Sequence, residues 1–211
     1  MRIIYKIIIK PILNLHTLLY GLSGFFSVKA EGGLHPKHRL MNYHKFFVDN
    51  VEFQDVVLDI GCGNGALTFD IAQKAAEVVG IDLNRKNIEF AEEKFSAPNI
   101  KYIIGDALKN LPDRKFDVII LSNVLEHIED RVGFLKKVKG KGSKILIRVP
   151  MINRDWITLY KKELGLEWRL DKGHFTEYTL ESFEKELEKA GLRIHNYSIQ
   201  FGEIWAIVFC G

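Results

Sequence analysis

Residues 56–65 read VVLDIGCGNG, and this stretch decides how the rest of the chain is interpreted. Its first half is a short apolar run rich in β-branched residues, which is typical of a strand buried on both faces of a parallel sheet. Gly61, Gly63 and Gly65 follow, and without a Cβ they let the backbone turn tightly and approach a ligand. A helical pattern begins at Ala66, so free N–H groups and a positive dipole end lie behind the loop. The stretch therefore predicts a strand, a loop and a helix that cradle a nucleotide-like ligand.

Three carboxylates lie at the ends of predicted strands around this loop. Asp59 comes just before the first glycine, where it can face a cationic group of the ligand. Asp82 ends a second apolar run and is placed to accept hydrogen bonds from ribose hydroxyls. Asp106 and Ala107 end a third run and are placed to hold an adenine amino group. These positions favour a ligand that combines an adenosine with a cationic tail.

Taken in series, the motifs Asp-x-Gly-x-Gly-x-Gly, Ile-Asp and Gly-Asp-Ala resemble those of class I S-adenosylmethionine-dependent methyltransferases, over residues 56–150. The resemblance implies S-adenosylmethionine as cofactor, with contacts from Asp59, Gly61, Gly63, Gly65, Asp82, Leu83, Asp106, Ala107 and Asn123. The spacing Gly61-x-Gly63-x-x-Ala66 also satisfies the dinucleotide fingerprint, so an NAD-linked oxidoreductase is the enzymatic alternative. A non-catalytic scaffold that keeps the cofactor fold is a second alternative.

Strand and helix patterns alternate along the chain and predict an α/β fold with a doubly wound, mostly parallel, Rossmann-like sheet of seven strands. Residues 192–210 predict two strands joined by a tight turn. They resemble the hairpin that supplies the antiparallel last strand of class I methyltransferases, which NAD-type sheets lack. We expect helices over 1–50 and the cofactor-binding domain over 51–211, with a substrate-side insertion at 151–179.

Composition limits the class of partner. The chain has 211 residues, 47% of them hydrophobic, which suffices for a full core. A net charge of +3 is mild and indicates no nucleic-acid partner. Cys62 lies inside the glycine loop and Cys210 at the other end of the fold, so we expect no disulfide and a reducing, cytoplasmic compartment.

The first 26 residues carry apolar side chains at helical spacing and basic side chains on the other face. This pattern resembles an interfacial membrane helix, while Pro11, which we expect to kink or divide it, and the charges argue against a spanning helix. The expected location is therefore cytoplasmic, with contact to the inner face of the cell membrane as one reading. Packing on the chain's own domain or in a homodimer is the other. Val28-Lys29-Ala30 also resembles a signal-peptide cleavage site, but a methyltransferase needs the cytoplasmic cofactor pool.

Residues 122–128 follow the fourth predicted strand, where ligands of open α/β sheets bind. Their Val-Leu-Glu-His-Ile run closely resembles the segment found in ubiquinone-biosynthesis-type and related small-molecule methyltransferases. His127 is the first candidate base for an acceptor hydroxyl, and His174 in the insertion is the second. Glu126 and His127 could instead cap or orient the next short helix. We see no acidic set of the kind that binds magnesium in catechol-type enzymes, so metal independence is predicted.

Two basic segments are candidates for contact with the methyl acceptor. One begins a helix predicted over residues 36–49, where an anion site is conceivable, although a solvated basic turn fits as well. The other lies in the insertion, whose aromatic residues could also just seal the sheet edge. The candidate substrate residues are His35, Lys37, His38, Arg39, Arg154, Trp156 and Arg169. The acceptor is expected to be a small-molecule, glycan or lipid-linked compound, methylated on oxygen.

Overall fold

The computed structural model describes residues 2–109 and 111–210. The helices are α1 (Arg2–Ala30), α2 (Lys37–Met41), α3 (Tyr43–Asp49), α4 (Ala66–Ala72), α5 (Arg85–Lys94), α6 (Arg131–Lys139), α7 (Trp156–Glu163) and α8 (Leu180–Lys189), with a 3-10 turn at Leu125–His127. The strands are β1 (Val56–Ile60), β2 (Glu77–Asp82), β3 (Ile100–Ile104), β4 (Phe116–Ser122), β5 (Gly142–Pro150), β6 (Arg193–Gln200) and β7 (Glu203–Phe209).

The strands form one seven-stranded sheet in the order β3-β2-β1-β4-β5-β7-β6. Neighbours from β3 to β5 are parallel, and β7 runs antiparallel to both β5 and β6. The predicted doubly wound sheet with an antiparallel last strand is confirmed. The chain leaves β1 for β2 on one side and later returns through β4 on the other, which opens a crevice at the carboxyl ends of these strands.

The core lies on both faces of the sheet because the central strands are apolar at successive positions. Val57 and Leu58 point to opposite faces and both are fully buried. On one face Leu58 belongs to the cluster that includes Phe183 of α8. On the other face Val57 belongs to the cluster that includes Phe47 of α3 and Ile71 of α4. Helices packed on both faces thus hold the strands, and with them the carboxyl ends of the strands, in a fixed arrangement.

The helix predicted over residues 36–49 is wrong, and Pro11 does not divide α1, whereas a kink at Pro11 stays a prediction. The helix expected over residues 36–49 is two helices, because Asn42 between α2 and α3 takes a left-handed conformation with φ of 48°. Asparagine tolerates this conformation better than most residues, so it can break the helix without a glycine or a proline. Pro11 does not divide the N-terminal helix, since α1 continues on both sides of it and extends to Ala30.

The segment at 151–179 contains α7, and its two ends meet in a bridge between Met151 and Tyr178. The segment therefore forms a loop and a helix that leave the carboxyl end of β5 and return beside it before α8 begins. The division into helices over 1–50, a domain over 51–211 and an insertion stays a prediction. Among the described helices, none combines the length and the apolar content that crossing a bilayer requires.

Candidate active site

A cavity of about 290 Å³ opens where β1, β2 and β3 end, and we name it the strand-end cavity. Its walls come from the carboxyl ends of these strands and from the loop that follows β4. The predicted site residues that line it are Gly61, Asp82, Leu83, Asp106, Ala107, Asn123 and His127. The topology therefore brings together residues that are up to 66 positions apart in the sequence (61 to 127).

A second cavity of about 180 Å³ lies on the other side of the glycine loop, and we name it the tail cavity. Gly61 and Asn123 line both cavities, so the two meet at these residues. The tail cavity is lined by Lys37, His38, Tyr43, Asp59, Gly61, Cys62, Gly63, Asn64, Leu67, Ser122, Asn123 and Arg148. An elongated ligand that crosses Gly61 could occupy both.

The three glycines of the loop serve different purposes. Gly61 has φ of 71°, and a Cβ on it would lie 2.7 Å from Val124, which borders the strand-end cavity. Gly63 has φ of 55°, and a Cβ on it would meet no atom within 4 Å, so its left-handed backbone conformation rather than a lack of space favours glycine there. Gly65 lines neither cavity, and a Cβ there would lie 2.6 Å from the Tyr102 hydroxyl oxygen. Gly65 therefore allows close packing of α4 on β3, behind the ligand-facing part of the loop.

Asp82 links the glycine loop to the second strand. Its Oδ2 accepts a hydrogen bond of 2.9 Å from the backbone N–H of Gly63. Its Oδ1 accepts from the backbone N–H of Asn84 at 2.8 Å and from the side chain of Asn87 at 3.3 Å. The carboxylate thus holds the loop in shape while it borders the strand-end cavity, where its lone pairs can also accept from ligand hydroxyls.

Asp106 and Ala107 lie at the end of β3 on the far wall of the strand-end cavity. The Oδ1 atom of Asp106 accepts from the backbone N–H of Leu108 at 2.9 Å, which fixes the turn. Lys109 lies 3.4 Å from Oδ2 but is mostly exposed, so this ion pair is weak. Leu83 lines the same cavity and is 71% exposed, so its apolar side chain is open to contact with a planar ring.

Asp59 is a buried carboxylate. Its Oδ2 accepts a hydrogen bond of 2.6 Å from the hydroxyl of Thr68. Burial raises the pKa of Asp59 to about 7. A negative charge that is expensive to bury becomes favourable when a cation binds beside it. The position therefore suits the ammonium group of an amino-acid tail.

Asp59→Asn is expected to stabilise the ligand-free protein, and more so at pH 8 than at pH 5. Because the folded-state pKa of about 7 exceeds the ordinary 3.8, the folded protein binds a proton that the unfolded chain releases, and stability is lost as pH rises between them. The amide carries no charge and can still accept from Thr68, so the gain should be on the order of 1–3 kcal/mol at pH 8. Thermal melts at both pH values, with the exposed Asp113→Asn as control, measure it. A lower melting temperature at pH 8 would contradict the burial argument.

Arg148 is a site residue that the sequence pattern did not reveal. It is 2% exposed, its Nε and Nη2 donate to both carboxylate oxygens of Glu203 at 2.5 and 2.8 Å, and it stacks 3.7 Å from the Tyr43 ring centre. Lys37 lies near it, and burial together with Arg148 lowers the pKa of Lys37. Burial raises the pKa of Tyr43 to about 12, so this hydroxyl stays neutral.

The tail cavity therefore combines one carboxylate with two basic side chains. Asp59 offers a negative charge, Lys37 offers a positive charge, and Arg148, whose charge is paired with Glu203, lines the same cavity. The buried Oδ1 of Asn123 finds no hydrogen-bond partner among the described residues, and it lies where the two cavities meet. An α-amino acid carries an ammonium and a carboxylate, so its methionine-like tail fits this donor and acceptor set.

His38 takes part in a hydrogen-bonded chain at the rim of the tail cavity. Its Nδ1 lies 2.8 Å from the Tyr43 hydroxyl and 3.0 Å from Nε2 of His44, whose Nδ1 lies 2.6 Å from Asp70. Burial first, and then His44 and Lys37, lower the pKa of His38 to about 4. His38 is therefore neutral at physiological pH and acts as a hydrogen-bonding group.

The two candidate catalytic histidines meet at the edge of the strand-end cavity. The rings of His127 and His174 pack edge to face with centres 4.6 Å apart. His174 is buried, and its Nδ1 lies 2.9 Å from Oε1 of the buried Glu177. Burial and then His174 lower the pKa of His127 below its ordinary 6.5. His127 is thus a neutral imidazole that borders the ligand cavity and has an oriented histidine beside it.

Glu126 lies behind this histidine pair with both carboxylate oxygens buried and without a hydrogen-bond partner among the described residues. Burial raises its pKa to about 8, so the carboxyl is mainly protonated at neutral pH. One nitrogen or oxygen atom from each of Glu126, His127 and His174 lies within 4.8 Å of the other two, a separation at which the three could hold one metal ion. Metal independence stays a prediction.

The remaining candidate substrate residues lie outside the two cavities. His35 accepts a backbone hydrogen bond from Lys37, and Arg39 forms an exposed ion pair with Glu31. Trp156 begins α7 and is 70% exposed. His35 precedes α2, Arg39 lies in α2 and Trp156 begins α7. Their contacts with the methyl acceptor stay a prediction.

Arg154 and Arg169 hold the insertion together. Arg154 forms an ion pair with Glu177 and donates to the carbonyl of Trp168 at 2.7 Å. Arg169 donates to both oxygens of Glu167 at 2.8 Å and to the carbonyl of His174 at 3.0 Å. Through these bonds both arginines position the segment that carries His174, and their guanidinium groups are committed to the protein.

Comparison with known proteins agrees with the geometry. A methyltransferase-domain family model matches residues 49–195. A ubiquinone biosynthesis O-methyltransferase of Rhizobium etli is 34% identical over 152 residues, which is 65% of this chain and 60% of that enzyme. The matches to this and other curated relatives span about one third to two thirds of those proteins' own length.

Solved structures share the fold at low sequence identity. An S-adenosylmethionine-dependent methyltransferase from Clostridium acetobutylicum covers 92% of this chain and 99% of its own, with a TM-score of 0.63 and 17% identity. Magnesium protoporphyrin IX methyltransferase from Synechocystis, solved with S-adenosylhomocysteine, covers 82% of both chains, with a TM-score of 0.62 and 20% identity. The match to the methyltransferase family sets the NAD-linked alternative aside, and the cofactor is S-adenosylmethionine. The chain belongs to the class I S-adenosylmethionine-dependent methyltransferases.

Proposed function

We propose that the protein transfers a methyl group to a hydroxyl oxygen of a small molecule. The observation that carries the proposal is the neutral His127 on the strand-end cavity, packed against His174, which Glu177 orients. Methyl transfer to oxygen needs a group that removes the hydroxyl proton as the oxygen attacks, and a neutral imidazole serves this purpose. The cofactor itself supplies an activated methyl on a sulfonium, which is already a good leaving group.

The cofactor contacts follow from the two cavities. Asp82 with Leu83 would hold the ribose and Asp106 with Ala107 the adenine in the strand-end cavity. Asp59 would accept a hydrogen bond from the ammonium group of the methionine tail, and the tail would lie against the backbone of Gly61 and Gly63. Lys37 and Arg148 would neutralise the tail carboxylate. Asn123 lies between the cavities, and its unpartnered oxygen is free to accept a hydrogen bond from the bound cofactor.

The proton would pass to His127. His127 accepts it from the acceptor hydroxyl while the methyl–sulfur bond breaks and the methyl–oxygen bond forms. His174, held by Glu177, packs against the His127 ring and keeps it in place. Alignment of the attacking oxygen with the sulfur–methyl bond provides the rest of the rate enhancement.

The acceptor class rests on the relatives and on the site. Several of the similar curated proteins are named ubiquinone biosynthesis O-methyltransferases, and we infer a hydroxylated, quinone-like acceptor on that basis. Glycans and lipid-linked sugars are the other hydroxylated acceptors that fit. We further propose that the reaction needs no metal ion and takes place in the cytoplasm, where the cofactor is made. A homodimer stays a prediction.

The test is methyl transfer by the purified full chain to a panel of acceptors, with S-adenosylmethionine labelled on its methyl group. The panel pairs each hydroxylated quinol with its amine analogue and with the same ring without a hydroxyl, and it includes a sugar. Label on the oxygen of a quinol, retained after chelator treatment, is the expected result. Label found only on nitrogen or carbon, or activity that a chelator abolishes, would overturn the corresponding part of the proposal.

A further inference from the structure

One side of α1 faces the rest of the protein. Leu13 is 4% exposed, and Thr17, one turn further along, accepts a hydrogen bond of 2.8 Å from the buried Lys161 of α7. Nζ of Lys161 also lies 3.2 Å from Nδ1 of His16. Val28 is partly buried on the same side. The surface of α1 that contacts the protein is therefore narrow, and a buried lysine anchors it.

The opposite side of α1 is apolar and turned away from the protein. Leu15 lies two residues after Leu13, so it projects about 200° further around the helix. The exposed apolar side chains, each between 43% and 65% exposed, are Ile4, Ile7, Ile8, Ile12, Leu15, Leu18, Leu19, Leu22, Phe25 and Phe26. Spacings of three, four and seven residues place them on one continuous face, which we name the outer face. An apolar face of this length is uncommon on a surface that stays in water.

The charges of α1 are all of one sign. Lys6, Lys10 and Lys29 are exposed, and the helix from Arg2 to Ala30 contains no aspartate or glutamate. No carboxylate among the described residues lies within ion-pair distance of these three lysines. Lys29 lies on the outer face, three residues after Phe26, whereas Lys6 and Lys10 lie near the side of Leu13, where they line a shallow cavity with Glu163 of α7. A helix that carries only basic charges and a long apolar face matches a surface that is apolar inside and anionic outside.

We propose that α1 lies in the interface of an anionic membrane, with the outer face in the lipid and its lysines at the headgroups. A second copy of the chain is the competing occupant. Two α1 helices paired along their outer faces would enclose the Lys29 side chain of each copy, and neither helix has an acidic residue to offset that charge. Charge complementarity therefore favours the lipid surface. The proposal concerns where the protein binds and does not depend on the acceptor that it methylates.

The test is co-sedimentation of the full chain with vesicles of phosphatidylcholine alone and of phosphatidylcholine mixed with phosphatidylglycerol. We expect binding to the anionic vesicles and much weaker binding to the neutral ones. Leu15→Glu/Leu22→Glu, which places two charges on the outer face, should weaken binding at least about tenfold. Lys6→Gln/Lys10→Gln should weaken binding to anionic vesicles by about fivefold for each lysine, and leave the residual binding to neutral vesicles unchanged.

The matched control is Phe53→Glu/Ile199→Glu, which changes two exposed apolar residues outside α1 and should bind vesicles as the wild type does. S-adenosylhomocysteine titration verifies that every variant retains its cofactor site. Wild-type protein that stays in the supernatant with anionic vesicles would overturn the proposal, and so would undiminished binding of the outer-face variant. A wild-type dimer in light scattering that the outer-face variant dissolves, without vesicle binding, would assign the face to a second copy instead.

Discussion

Replacing Asp82 with alanine should weaken the binding of S-adenosylhomocysteine by about 100-fold or more. Two effects add in this variant. The ligand loses charge-assisted hydrogen bonds to its ribose, each worth about 1.5–3 kcal/mol. The backbone N–H of Gly63 also loses its 2.9 Å partner, so the glycine loop is no longer held in its binding shape. Calorimetric titration with S-adenosylhomocysteine measures the change directly and requires no knowledge of the acceptor.

Asp113→Ala is the matched control for the Asp82 variant, because Asp113 is a carboxylate on the exposed turn before β4, paired only with Lys141. Its affinity for S-adenosylhomocysteine should equal that of the wild type. Asp82→Asn offers a finer comparison, since the amide oxygen can still accept from Gly63 while the charge is gone. Wild-type affinity in the Asp82→Ala variant would show that the ribose is held elsewhere.

His127→Gln should lower kcat by about 100-fold while cofactor affinity changes little. The amide keeps a polar side chain on the cavity wall but cannot accept a proton at neutral pH. In the wild type the rate should be constant above pH 6.5 and fall at lower pH, because burial and His174 set the pKa of His127 below that value and only the neutral ring accepts a proton. The variant should lose this acid limb. Steady-state rates with the identified acceptor, measured across pH, test both statements.

His195→Gln is the control for the histidine variant, since His195 is an exposed histidine on β6, stacked on Phe209 and far from the strand ends. It should leave kcat and the acid limb unchanged. The kcat of His174→Gln should lie between that of the wild type and that of His127→Gln, because His174 would affect the reaction only by positioning His127. An unaltered pH profile in His127→Gln would identify the proton acceptor as another group.

Most of the fold was predictable because it depends on local signals that the sequence states plainly. The apolar run before Gly61 could only be an interior strand, and the turn at Gly202 with its positive φ joins the last two strands as expected. The break at Asn42 was not predictable, because the side chain that takes a left-handed conformation there carries no periodic signal. Division of the helix at Pro11 was expected as one possibility and is not found, because a single proline removes one N–H and a long helix can continue past it.

The positions of the candidate cofactor residues were predictable to the extent that these residues follow strands, and their roles stay predictions. Asp59, Asp82 and Asp106 each stand at a strand end, and the parallel sheet brings these ends together. Arg148 was missed because it lies within the apolar strand β5. The sequence does not indicate that Glu203, 55 residues later on the antiparallel strand β7, is its ion-pair partner. Gly65 follows the motif but serves packing on Tyr102, because a glycine spacing does not say which side of the loop each residue faces.

The order of the strands has a consequence for the newly made chain. β7 lies between β5 and β6, so a strand that is made after the other six inserts into the interior of the sheet. Until then β5 has an open edge, and Arg148 on β5 lacks Glu203, its buried counterion. A nascent chain that stops short of β7 would therefore carry an unpaired cation in its tail cavity and an exposed strand that invites aggregation. Cofactor binding should thus require β7 to be in place, and truncations that remove β7 should lose it.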